Sequence, residues 1–271
     1  MSKNGCSISD RMKGYENISR IYLTKRSPVI IRIDGKTFHN FTRGLKRPFD
    51  GILMNAMAET AKYLCENITG CKLAYTQSDE ISLLLTDYDT IECMPWFENN
   101  LQKLVSISAS MATLAFNRAF AKKCDAYFEC DKNSAEPDDK AYRAALKKAL
   151  DKGAVFDSRA FVLPKDEVIN YFIWRQQDAT RNSILMVAQS LYSHKELQGI
   201  KCDALQDKMF TERGVNWNDC TIAQKRGTCV IRQVVQVNNI ERRKWIIDLD
   251  IPIFSKNKDY VNSLVFAEAK R

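Results

Sequence analysis

Hydrophobic and polar positions change period several times along the chain, and each change predicts an element. A strand is expected from Val29 to Asp34, with Val29, Ile31 and Ile33 on one face, ending abruptly at Asp34-Gly35. From Gly51 to Asn67 the period becomes helical, with Ile52, Leu53, Ala56, Met57, Ala61, Leu64 and Ile68 recurring on one side, and Gly70 ends the run. Cys71 to Leu85 reads as a hairpin, because two β-favouring runs flank the polar centre Thr76–Glu80. A loop with Pro95 leads to a helix over Leu101–Lys123, whose inner face is Leu101, Leu104, Val105, Ser108, Met111, Ala112, Ala115, Phe116 and Ala119. The polar stretch 130–153 reads as an insertion carrying a helix over Lys140–Asp151.

The remaining elements are read the same way. A polar helix is expected from Ile8 to Leu23, set off from the first strand by Pro28. A strand over Val155–Leu163 ends at Pro164, and Asp166 caps a helix that reaches Trp174–Asp178. A second helix follows over Ser183–Tyr192, a short one over Leu205–Arg213 closes at Gly214, and Asp219 caps a further turn up to Lys225. The tail predicts a hairpin of Thr228–Val237 and Lys244–Phe254 around Asn238-Asn239. The order strand, helix, strand, strand, helix, strand makes a split β-α-β arrangement, and the pattern alone implies an α+β sandwich. One catalytic unit over 1–271 is expected, with its core at about 28–165 and a helical and hairpin part at about 166–271.

Composition narrows the partners. A net charge of +8 favours a polyanion, nucleic acid first. Nine cysteines without a Cys-x-x-Cys pair, and two histidines, argue against a zinc finger or a disulfide framework. Neither a leader-like start nor an apolar run near 18 residues is read, so no membrane is expected and an intracellular, cytoplasmic place is, with a mitochondrial one left open.

The candidate chemistry sits where the strands stop. An acid at a strand end followed by glycine, as in Asp34-Gly35, presents its carboxylate at the sheet rim, although Asp-Gly is also a common turn. The pair Asp79-Glu80 is either a charged hairpin tip or a second acid source converging on the first, as a two-metal phosphoryl-transfer site requires. The Gly35 carbonyl offers a further oxygen ligand. Lys36, Lys46 and Arg47 are placed to grip a triphosphate, and Asp50 reads as a helix N-cap or a nucleotide contact.

These residues also carry a resemblance. Arg32 to His39, Arg47-Pro48-Phe49-Asp50 and Gln77-Ser78-Asp79-Glu80 occur in order, followed by Phe156-Asp157-Ser158-Arg159, Trp174 to Asp178 and Lys225-Arg226-Gly227-Thr228. Together they resemble the tRNA-His guanylyltransferases and their guanylyltransferase-like relatives. The resemblance implies a ferredoxin-like polymerase palm, an antiparallel sheet with helices packed on it, with helical additions and a C-terminal β-hairpin. It implies a nucleotidyltransferase with catalytic Asp34, Asp79 and Glu80, two magnesium ions on Asp34, Gly35 and Asp79, and ATP, GTP or other nucleoside triphosphates as substrates. Lys36, Thr37, Phe38, His39, Arg47, Asp50, Ser78 and Lys103 become nucleotide contacts. Arg159, Arg175, Asn182, Lys225 and Arg226 become contacts to RNA or the activating nucleotide. The tRNA-His enzymes show His-Ile-Asn-Asn where this chain has Thr180-Arg181-Asn182-Ser183. That departure points to the branch that extends tRNA 5′ ends in the 3′–5′ sense against a template, over addition of a single G to tRNA-His or a non-catalytic RNA-binding descendant. A homotetramer is implied as well.

Overall fold

The computed structural model describes residues 7–130, 137–237 and 240–266. Its framework is one six-stranded antiparallel sheet in the order β4-β1-β3-β2-β5-β6. β1 (Val29–Gly35) is central and pairs with β3 (Glu80–Leu85) on one side and β4 (Phe156–Val162) on the other. β2 (Cys71–Gln77) lies beyond β3, and the hairpin β5 (Thr228–Val237) and β6 (Ile240–Asp248) extends the sheet past β2. The first four strands, joined by helices, follow the ferredoxin-like plan expected of the sequence.

β1 is buried on both faces, which its unbroken apolar run foreshadows. Ile31, Ile33, Ile81 and Leu83 face α3 (Gly51–Asn67) and α4 (Leu101–Cys130) in one core. Ile30, Leu84, Leu73 and Tyr75 face α6 (Lys165–Leu191) and α10 (Asp259–Val265) in another. A third cluster joins the end of α6 to α8 (Cys202–Arg213). α3 has the bounds its periodicity predicts and is capped by the Asp50 side chain on Leu53 N–H.

Several expectations need correction. α1 ends at Ile18, and α4 runs seven residues beyond Lys123. α4 is also long and apolar enough for a membrane span by length and composition, against the expected lack of such a run; its Leu104, Phe116, Phe120 and Cys124 lie in the core. The two helices expected over 166–192 are one, α6, with Pro164 and not Asp166 at its N-cap, because no glycine or proline interrupts Trp174–Ser183. Thr221, not Asp219, caps α9 (Ile222–Arg226), through a capping box with Gln224. β6 begins before Lys244 and stops at Asp248; Asn238-Asn239 lie outside the described residues. α5 (Pro137–Lys152) is longer at both ends than expected and buries one face, with Tyr142, Leu146 and Ala149 in the core, while Lys147 and Lys148 are exposed.

Candidate active site

The site forms where β1 and the β2–β3 hairpin end together. Asp34 is the register partner of Glu80 across β1–β3 and of Asp157 across β1–β4. Ser78 and Asp79 make the two-residue turn between Gln77 and Glu80, and Ser78 has φ 51°. Gly35 N–H donates to the Asp79 carbonyl at 3.1 Å, which ties the end of β1 to that turn. A side chain at Gly35 would meet Phe38 Cδ2 at 2.3 Å and Asp79 Cβ at 3.0 Å, so only glycine lets the two approach this closely. The following residue but one, Thr37, has left-handed φ and ψ of 53° and 40°, an unfavourable state for a β-branched residue and a mark of local constraint.

Two adjoining clefts open beside the turn. One, with about 790 Å³ of empty space, is lined by Phe38, His39, Arg47, Asp50, Ser78 and Asp79, with Met186 and Gln189 from α6. The other, with about 660 Å³, is lined by Phe49, Met54, Met57, Asn182 and Gly227 among others, and shares Asp50, Leu53, Ser78 and Met186 with the first. Lys36 and Thr37 are exposed at the strand end, outside both linings.

Burial holds the Asp79 carboxyl above the usual carboxylate range, and the charges of Asp34 and Glu80 push the same way against the lowering effect of its hydrogen bonds. That mutual repulsion is the electrostatic condition a divalent cation relieves. The donors at hand, the Asp34 carboxylate at the end of β1, the Asp79 carboxylate in the β2–β3 turn and the strand-end Gly35 carbonyl, are the hard oxygen ligands magnesium takes. Among the described residues, no group of three or more His, Cys, Asp or Glu side chains is arranged to hold a metal.

Glu80 does not open to the rim. It is 4% exposed, and Arg175 Nε and Nη2 donate to its two oxygens at 2.7 Å each. Arg32 Nη2 adds a 2.6 Å bond. Arg175, expected to touch RNA, is therefore buried in an ion cluster with Glu80 and Asp178. Asp50 is likewise occupied: its oxygens accept from Leu53 N–H, Lys46 N–H and, at 2.7 Å, the Tyr142 hydroxyl, so it caps and clamps although it lines the clefts. Lys103 stands in the first turn of α4, its Nζ 5.6 Å from the centre of the Phe97 ring and outside the linings of both clefts.

The other expected contacts are nearer. Arg159 is exposed beside Asp157, one register step from Ser158 and Ile33. Asn182 donates to Asp178 at 3.4 Å and lines the second cleft. Lys225 Nζ donates to the Asn218 carbonyl, and the Arg226 carbonyl accepts from Tyr75 Oη at 2.7 Å, so this segment borders the cleft through Gln224 and Gly227. Reading the sequence gave no role to Arg32, Asp157, Tyr142, Met186 or Gln189. Arg32 and Asp157 stand inside quoted motifs, which was the available signal; the other three carry none.

The family model for tRNAHis guanylyltransferase matches residues 9–164. A tRNA(His) guanylyltransferase of Schizosaccharomyces pombe is 26% identical over 237 residues, 83% of this chain and 80% of its own length. A bacterial tRNA(His) guanylyltransferase-like protein solved with ATP is 48% identical, covering 96% of this chain and 99% of that one, with TM-score 0.80. The same kind of protein solved with GTP is 46% identical over the same shares, with TM-score 0.77.

Proposed function

Since the chain belongs to the tRNAHis guanylyltransferase family and is a nucleotidyltransferase of that kind, we propose that it adds nucleotides to the 5′ end of tRNA in the 3′–5′ sense, as the opposing strand dictates. The observation that carries the reading is the approach of Asp34, at the end of β1, to Asp79, in the β2–β3 turn, near enough for the Asp34 charge to push up the Asp79 pKa, with Asp79 lining a cleft beside His39 and Arg47. Preference for the template-dependent branch rests on Thr180–Ser183 and on likeness to the guanylyltransferase-like protein at nearly half of all positions. The ATP and GTP held by those relatives support either as the activating nucleotide.

In this reading the 5′ phosphate oxygen of the RNA attacks the α-phosphorus of ATP or GTP, and pyrophosphate leaves. The 3′-hydroxyl of an incoming nucleotide then attacks the activated 5′ phosphorus, and the nucleoside monophosphate leaves. Asp34, Asp79 and the Gly35 carbonyl would hold magnesium, which supplies charge neutralisation to the polyphosphate and acidity to the attacking hydroxyl. Asp79 does this only ionised, and the Ser78 hydroxyl donates to its Oδ1 at 3.0 Å. Arg47 and Lys36, both exposed, attract polyphosphate to the mouth.

The test is labelled-nucleotide addition to tRNAs lacking their first base, with each of the four bases opposite the gap. Incorporation that follows the opposing base, and is lost in Asp79→Asn, is the expected result. Addition of one G whatever lies opposite would overturn templated synthesis in favour of the tRNA-His reaction. No incorporation at all would remove the catalytic reading.

A further inference from the structure

Glu80 follows Asp79 directly, and everything around it restrains it. Its Oε1 accepts from Arg175 Nε at 2.7 Å and from the Ser82 hydroxyl at 3.4 Å; its Oε2 accepts from Arg175 Nη2 at 2.7 Å and Arg32 Nη2 at 2.6 Å. Ser82 is in turn bonded to Tyr171 on α6 at 2.7 Å, and Arg175 to Asp178 at 3.0 Å. Asp79 itself has few restraints: the Ser78 hydroxyl on its side chain and the Gly35 N–H on its carbonyl. The turn is two residues long, so the setting of Glu80 fixes where the Asp79 carboxylate points.

We infer that Arg175 is a positioning residue: by gripping both oxygens of Glu80 from α6, it holds the Ser78–Asp79 turn in the setting in which Asp79 meets a divalent cation. The role rests on the metal reading above. Charge supports it as well as geometry. Two guanidinium groups neutralise Glu80, so the negative field left at the rim is that of Asp34, Asp79 and Asp157, the last with Arg159 3.8 Å away. Without Arg175, Glu80 keeps a buried charge paired with Arg32, and the least costly relief is to swing toward the rim and drag Asp79 with it.

Mn2+ binding by titration calorimetry tests this on wild type, Asp79→Asn, Arg175→Lys and the double variant Glu80→Gln/Arg175→Met, with folding checked by circular dichroism. Lysine keeps the charge but cannot make the two-pronged grip. The double variant removes both charges at similar volume and serves if Arg175→Lys does not fold. The expected result is Mn2+ affinity weakened about 10–100-fold in the folded Arg175 variants, as for other residues that orient metal ligands, with nucleotide addition recovering at high magnesium. A merely structural salt bridge would lower the melting temperature and leave Mn2+ affinity within twofold of wild type; that outcome overturns the inference. If wild type and Asp79→Asn bind Mn2+ alike, the metal reading falls, and this role with it.

Discussion

Gly35→Ala isolates space as the only thing changed, because the Gly35 backbone does not lie in the left-handed region. The added carbon would stand 2.3 Å from Phe38 Cδ2 and 2.8 Å from Cγ, against about 3.5–4.0 Å for carbon atoms in ordinary contact. The ring has no retreat. Phe41, Phe116 and Phe156 hold their centroids 5.0, 5.6 and 5.6 Å from it. Either the aromatic cluster gives or the end of β1 lifts, and lifting shifts Asp79, whose Cβ would be 3.0 Å away and whose carbonyl receives the Gly35 N–H. Overpacking of this kind costs about 1–3 kcal/mol, which at about 2–4 °C per kcal/mol lowers the melting temperature by several degrees. A misplacement of about 1 Å at a metal ligand costs about 100-fold in rate. Urea unfolding and nucleotide addition are measured together. Gly14→Ala in α1 is the control, with nothing within 4 Å, and should be neutral or stabilising by up to about 1 kcal/mol. Wild-type stability and rate in Gly35→Ala would refute the close-approach reasoning.

Two further outcomes are expected. Burial and neighbouring acids raise the Asp79 pKa in the folded protein, so the native state binds that proton more tightly than the unfolded chain and the ionised form costs stability above the folded pKa. Asp79→Asn should therefore melt higher than wild type at pH 7 in chelator, with the gap closing as pH falls through the raised pKa, while nucleotide addition drops by orders of magnitude; a lower melting temperature would contradict the sign. Tyr142→Phe removes a buried 2.7 Å bond to Asp50, worth about 1.5–3 kcal/mol for a hydrogen bond to a charged group. Because Asp50 also lines both clefts, the KM for the nucleotide should rise in step with the loss seen in urea, and an unchanged KM would separate the clamp from the site.

What could be read from the residues alone is what local chemistry decides. The β-branched run ending at Asp34-Gly35, the apolar spacing of α3 with Asp50 before it, and the polar break between β2 and β3 are signals spanning a few residues, and the folded elements follow them. Six ordered motifs then joined those pieces to a family, and so to the palm and its two aspartates. The environment of each polar side chain was out of reach, because it is set by partners distant in sequence. Glu80 looks like a rim acid until Arg175, 95 residues later, closes on it. Asp50 reads as an N-cap or a nucleotide contact, and the bond from Tyr142, on a helix that reads as an insertion, shows only in the fold. Lys103 reads as a triphosphate contact by resemblance, and in the fold its ammonium stands over the Phe97 ring, outside the linings of both clefts. Sequence determines which groups can ionise and which stretches can pair; only the packing of α5 and α6 on the sheet decides which charges, those of Glu80 and Asp50 among them, are satisfied inside the protein and which stay at the sheet rim.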